Sequence, residues 1–223
     1  MSDQSFTDDY LNGLAGLLPR LDRSAIATAI GWMRETRDAN RTIYICGNGG
    51  SASIASQMVV DIVKGASLGR RARFKMIGLT DSMATVTAYA NDEGYDSVFV
   101  EPLKNFAESG DLLLAISGSG NSQNVLNAVE YANGIGCRTI GLTTGEGGQL
   151  RELVELPLTV PSSHMGRLED CFFVMTHVLC YAFMEAETDE EKEEILRGLA
   201  ENNLIQINTE DPKSSKKKIY FDS

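Results

Sequence analysis

Apolar residues recur at helical spacing in two stretches near the N-terminus. They are 6–18 (Phe6, Tyr10, Leu11, Leu14, Leu17) and 21–38 (Ile26, Ala29, Ile30, Met33), and they predict two amphipathic helices. Asp22 or Ser24 is placed to cap the second. Neither stretch carries other chemistry, so both read as packing or oligomer surface. From Thr42 the pattern changes. Short apolar, β-leaning runs at 42–46, 74–79, 112–117, 138–143 and 156–160 alternate with helical stretches at about 51–64, 82–90 and 98–106. Further helical stretches end near 133 and 153. Such alternation predicts an α/β three-layer sandwich whose parallel five-stranded sheet is covered by helices on both faces. Pro161 closes the sheet region, and 167–186 reads as a long apolar helix. Thr188-Asp189-Glu190-Glu191 reads as the cap of another helix, ending near Ala200. Beyond Asn202 the pattern is lost, and the basic run at 212–218, PKSSKKK, reads as a mobile tail or a contact arm for a neighbouring subunit. No linker divides the chain. One structural domain is expected, built from N-terminal helices (1–40), a core (41–186) and a C-terminal helix with tail (187–223).

Composition narrows the function. The net charge of −11 disfavours nucleic acid and anionic membranes as partners. No apolar stretch approaches the roughly 20 residues of a membrane span. The acidic, amphipathic start MSDQSFTDDYLNGL is not a secretory signal, so a cytoplasmic location is expected. Cys46, Cys137, Cys171 and Cys180 lack metal-site or redox spacing and read as buried free thiols. His164 and His177 are the only histidines, which excludes a site built from many imidazoles.

Two loops carry candidate chemistry. After the first strand, Gly47-Asn48-Gly49-Gly50-Ser51 reads as a tight turn into a helix N-terminus, where unpaired amides favour an anion or polar hydroxyls. Gln57 and Asp61 lie four residues apart on the helix that follows, and so share one face that offers a bound substrate an amide and a carboxylate. After the third strand, Ser117-Gly118-Ser119-Gly120-Asn121-Ser122 sets three hydroxyls and two glycines before a helix. Hydroxyls with free amides make a phosphate cradle without a lysine. Both loops fall at the carboxyl ends of strands, where ligands bind on parallel sheets.

GNGGS, SGSGNS and RLEDCFFVMTHVL, in this order, resemble the sugar isomerase (SIS) domain and, within it, the phosphoheptose isomerases. The similarity also takes in Asn91-Asp92-x-Gly94-Tyr95 and Gly141-Leu142-Thr143, and runs from about residue 10 to about residue 186. It implies a flavodoxin-like fold, a homotetramer with pockets between subunits, and a phosphorylated sugar as substrate. By resemblance, Asn48, Gly49, Gly50 and Ser51 hold sugar hydroxyls, and Ser117, Gly118, Ser119 and Ser122 hold the phosphate. Asn91 and Asp92 border the sugar.

The family's acid-base positions are altered. Where it has His-x-x-x-Glu, this chain has Gln57 and Asp61; where it has Arg-x-Gln with a His eight residues on, this chain has Glu169 and His177. Asp61 keeps a carboxylate one methylene shorter than Glu, and a shift on the order of 1 Å can cost about 100-fold. Glu169 adds a carboxylate and is a second candidate base. His177 is the candidate acid/base group, although mid-helix among Phe172, Phe173, Met175 and Leu179 it also reads as a core residue. Gln57 is a poor metal ligand, so no cofactor is certain, but Asp61, Glu169 and His177 could still hold a weakly bound zinc or other divalent ion. His164 reads as an exposed loop residue, and Arg70, Arg71 and Arg73 as a solvated loop or a reach toward phosphate or another subunit. The expected activity is interconversion of sedoheptulose 7-phosphate and D-glycero-D-manno-heptose 7-phosphate through an enediol. The alternatives are a non-catalytic phosphosugar sensor or protein-binding regulator, and an isomerase of another phosphorylated ketose.

Overall fold

Two capped helices lead into the sheet. In α1 (Asp3–Leu17) the Ser2 hydroxyl accepts from the Ser5 amide, and in α2 (Arg23–Asp38) the Asp22 carboxylate accepts from the Ser24 and Ala25 amides. The computed structural model describes residues 2–185 and 189–201. The Thr188 cap and the basic run at 212–218 lie outside the described residues.

Strands β1 (Thr42–Gly47), β2 (Lys75–Gly78), β3 (Leu112–Ile116), β4 (Arg138–Thr144) and β5 (Leu156–Val160) pair in parallel in the order β2-β1-β3-β4-β5. All five residues of β3 are buried, as a central strand covered on both faces requires. Alternate side chains divide the core. Ile43 and Ile45 of β1 face α2, α3 (Gly50–Val60) and α8 (Met165–Met184), through residues such as Met33, Ile54 and Phe172. Tyr44 and Cys46 face the other layer, α4 (Met83–Asp92), α5 (Val100–Phe106), α6 (Gln123–Gly134) and α7 (Gly148–Leu153), through residues such as Leu103, Val125 and Leu150. The chain leaves β1 toward β2 and returns on the opposite side as β3. The crevice between the carboxyl ends of β1 and β3 is therefore the topological switch point, where such sheets bind ligands.

Three boundaries differ from the sequence reading in ways that matter to the site. Helix α3 does not run on to residue 64. It stops at Val60, and Asp61–Gly65 form a π turn closed by the Ala66 amide donating to the Asp61 carbonyl at 2.8 Å. π turns inside helices are frequent at functional positions. Asn91 and Asp92 lie in the last turn of α4 rather than in a loop; the break falls at Gly94, whose φ is +96°. Helix α8 begins at Met165, with His164 as its cap: the imidazole Nδ1 accepts from the Arg167 amide at 3.3 Å. His164 is thus a structural cap, set edge-on to Tyr10, rather than a plain loop residue. A final helix, α9 (Asp189–Glu201), follows.

All four cysteines are buried free thiols. Burial pushes Cys46 and Cys180 up to about 12 and Cys137 up to about 11. At pH 8 a thiol with a pKa near 12 is ionised in only about one molecule in ten thousand, and the thiolate is the reactive form. Ellman's reagent at pH 8 is accordingly expected to leave Cys46 and Cys180 untouched in native protein and to titrate them after denaturation. Rapid native labelling at either position would contradict this packing.

Candidate active site

The loop after β1 is shaped by close approach. Gly49 has φ +54°, and the Ala52 and Ser53 amides return to its carbonyl at 3.0 and 3.2 Å as α3 begins. A Cβ on Gly47 would meet the Ser51 Cβ at 2.7 Å, so Gly47 is what allows Ser51 to be buried there. Asn48 is largely committed within the protein. Its Nδ2 donates to Asn124 Oδ1 at 2.9 Å, and its Oδ1 accepts from Asn124 Nδ2 at 3.0 Å and from the Tyr95 hydroxyl at 2.9 Å. Both acceptor lone pairs are used, which leaves one N–H for a ligand. Asn48 is therefore a strut tying β1 to α6 and to the segment after α4, with one N–H to spare for a ligand.

Asn124 is a residue the sequence reading missed. It is 2% exposed in the first turn of α6 and joins the two glycine-rich loops across the switch point. The available signal was an amide side chain at a core-facing helical position just after SGSGNS. Asn91 Nδ2 donates to Asp92 Oδ1 at 2.7 Å, and both residues are exposed; Tyr95, in the same segment, is the one that reaches the β1 loop.

In the loop after β3, Ser117 is buried and its hydroxyl lies 3.1 Å from that of Ser122. Ser119 Oγ accepts from the Asn121 amide at 3.2 Å. Ser122 is the N-cap residue of α6, yet its side chain caps nothing. Of the first amides of α6, that of Val125 donates to Ser122 O and to Asn124 Oδ1, both at 3.0 Å, and those of Gln123 and Asn124 remain open to an anion beside two hydroxyls, the arrangement a phosphate requires. The loop is fixed from outside: Gly120 donates to Ser117 O at 3.1 Å, and the Leu150 amide donates to Gly120 O at 2.9 Å.

The first turns of α8 lie against both loops. A Cβ on Gly118 would meet Met165 Sδ at 2.9 Å, and one on Gly50 would meet the Glu169 carboxylate, its Oε2 at 3.0 Å. Glu169 therefore stands at the N-terminus of α3, where a negative charge is favourable. With that end taken by a carboxylate, the β1 loop suits neutral hydroxyls and the β3 loop suits the phosphate. Arg167 locks this end of α8 to α1 through Asp9 Oδ2 at 2.6 Å and the Tyr10 carbonyl at 3.2 Å.

Asp61 and His177 do come together. His177 Nε2 lies 3.7 Å from Asp61 Oδ2. Gln57 Nε2 donates to Asp61 Oδ1 at 3.2 Å, so the amide orients the carboxylate instead of standing free for a ligand. Asp61 Oδ2 is buried without a hydrogen bond, one of only two such side-chain atoms among the described residues. A buried polar atom left unsatisfied costs on the order of 1–3 kcal/mol, and is retained where chemistry needs it. His177 is not a core residue; its side chain is 48% exposed, with Phe173 and Tyr181 flanking its ring.

Glu169 does not join this pair. It precedes His177 by eight residues, about 12 Å along the helix axis, with its carboxylate turned to Gly50. Among the described residues no three His, Cys, Asp or Glu side chains form a group able to hold a metal ion. Within one chain, of the candidate donors Asp61, Glu169 and His177, two meet and the third is held at the crevice. Arg70 donates to the carbonyls of Gly65 at 3.1 Å and Met184 at 2.7 Å, clamping the end of the π turn to the end of α8, away from the phosphate loop of its own chain.

A doubly wound α/β protein with a small-ligand crevice at its switch point is the class that fold and site define. Residues 9–144 match the SIS domain, and the chain belongs to that family. It is 40% identical over 146 residues to the phosphoheptose isomerase of Aliarcobacter butzleri, covering 66% of this chain and 77% of that protein. With the phosphoheptose isomerase of Geobacter sulfurreducens it shares 37% identity over 155 residues, 70% of this chain and 82% of the relative. The solved phosphoheptose isomerase from Francisella tularensis superposes with a TM-score of 0.77 at 28% identity, over 82% of this chain and 98% of that one.

Proposed function

We propose that this protein is a phosphosugar aldose-ketose isomerase that converts sedoheptulose 7-phosphate to D-glycero-D-manno-heptose 7-phosphate. The observation that carries the reading is the buried, unbonded Asp61 Oδ2 facing His177. Asp61 takes the proton from C1 of the ketose, giving the enediol, and returns it to C2. His177 moves the hydroxyl proton from O1 to O2, so the atoms balance with no other reactant. Glu169, Ser51 and the remaining Asn48 N–H hold sugar hydroxyls, while Ser117, Ser119, Ser122 and the first amides of α6 hold the phosphate.

The crevice and the Asp61–His177 pair lie apart along one chain, so the working pocket is completed between subunits of a homotetramer. Supporting this, Val60 and Val63 near Asp61 in the chain and Val174, Val178 and Tyr181 near His177 are exposed, and an apolar groove of about 330 Å³ runs between Ile26, Ile30 and Val174. No helix among the described residues is long and apolar enough to cross a membrane. Free buried thiols and the net charge of −11 fit a cytoplasmic enzyme without nucleic-acid partners.

No step is routed through a metal, because the candidate donors do not cluster. Turnover of sedoheptulose 7-phosphate, followed by proton NMR of the aldose formed, is expected before and after exhaustive chelation, with less than twofold difference. Loss on chelation with recovery on zinc would overturn the metal-free reading. Tight phosphosugar binding without any aldose would overturn the isomerase and favour a sensor.

A further inference from the structure

At the far end of α8 from the crevice, four guanidinium groups line one cavity of about 420 Å³. Arg34 and Arg37 come from α2, and Arg70 and Arg71 from the loop after the π turn. The chain has 31 acidic against 20 basic residues, so this concentration of positive charge runs against the whole. Phe183 forms part of the wall and lies 14 residues beyond Glu169, about 21 Å along the helix. Phe183 is only six residues, about 9 Å, beyond His177, and the cavity is separate from the crevice of its own chain.

Its groups are held in two ways. Arg37 is paired with Asp38 at 2.9 Å and stacks over Phe74 at 5.2 Å, and Arg70 is fixed by the Gly65 and Met184 carbonyls. Arg34 lies over the Phe183 ring at 5.6 Å. Neither Arg34 nor Arg71 makes a side-chain hydrogen bond or ion pair among the described residues. Among the described residues the carboxylates of Glu185 and Glu194 also border the cavity, and neither is within ion-pair distance of Arg34 or Arg71. Helix α9 closes one side. It packs so tightly on the arginine loop that a Cβ on Gly69 would meet the Ile195 carbonyl oxygen at 3.0 Å.

Unpaired guanidiniums converging on a concave, partly apolar space are suited to bidentate contact with phosphate oxygens. The volume falls within the range of small-molecule sites. We propose that this cavity is a second ligand site, for a small organic diphosphate, distinct from the substrate crevice.

Calorimetric titration of the full chain with inorganic pyrophosphate tests this. Wild-type protein is expected to bind it, and Arg34→Gln/Arg71→Gln to lose at least tenfold in affinity. Ser122→Ala, in the substrate loop, is expected to change that binding less than twofold. The proposal is overturned if wild type does not bind pyrophosphate, if the double variant binds as wild type does, or if only Ser122→Ala abolishes binding. Should the double variant melt early, Arg71→Gln alone decides. Among the described residues Arg71 has no side-chain bond to lose, so a threefold or larger weakening supports the site and an unchanged affinity overturns it.

Discussion

Asp61→Asn is expected to lower kcat for sedoheptulose 7-phosphate by about 10²–10⁴, while its melting temperature holds or rises. The two halves of this result have one cause. Asp61 Oδ2 is buried, accepts no hydrogen bond from the described residues and lies 3.7 Å from His177 Nε2. A carboxylate in that position is held ready to accept a proton, and an amide of the same shape cannot do so. The folded protein loses little by the change. Asn keeps an oxygen for the Gln57 amide, which now donates to Asp61 Oδ1 at 3.2 Å, and it fills the same space. A purely structural role for Asp61 would give the opposite pattern: a lower melting temperature with near-normal kcat. The exposed half of the pair, His177→Ala, is expected to lose kcat in the same way, and in neither variant is KM expected to carry most of the loss.

Gly120→Ala is expected to destabilise the protein by about 2–5 kcal/mol, to lower its melting temperature by about 5–15 °C, and to weaken phosphosugar binding at least tenfold. Gly120 has φ +67°, a conformation an alanine adopts only at a cost. The added Cβ would also collide with the Gly147 carbonyl and stand 2.9 Å from Thr143 Oγ1. Most of what it strikes is backbone, fixed by the Leu150 amide bound to Gly120 O at 2.9 Å, so no flexible side chain can give way. Relief must come from the loop that carries Ser117, Ser119 and Ser122. Thermal denaturation and calorimetry with a phosphosugar read the two effects together; a variant that melts and binds as wild type does would contradict the clamped loop.

How much of this was legible in the sequence differs by scale. The five strands, their parallel pairing and the two glycine-rich loops at strand ends follow from apolar runs broken by glycine, because a central parallel strand such as β3 is buried on both faces. The helix ends were less accessible. The π turn at Asp61 leaves the apolar spacing almost unchanged, so α3 read as continuous to 64. His164 caps α8 with an imidazole, a residue seldom seen as a cap, and was read as loop. The pairing of Asp61 with His177 depends on how α3 and α8 lie side by side, which periodicity does not encode; neither does the placement of Glu169 against Gly50. Asn124 was hidden for the same reason. Its role exists only through a contact with Asn48, 76 positions away in the chain.

The central claim is that Asp61 and His177 move a proton between adjacent carbons of a bound ketose phosphate. The most direct measurement is incubation with sedoheptulose 7-phosphate in deuterated water, after chelation, with NMR following deuterium at C1 of the ketose and C2 of the aldose. Wild type is expected to incorporate deuterium at both carbons as aldose appears, and Asp61→Asn to do so about 10²–10⁴ times more slowly. Incorporation, or aldose formation, at the wild-type rate in Asp61→Asn would contradict the assignment of Asp61 as the base.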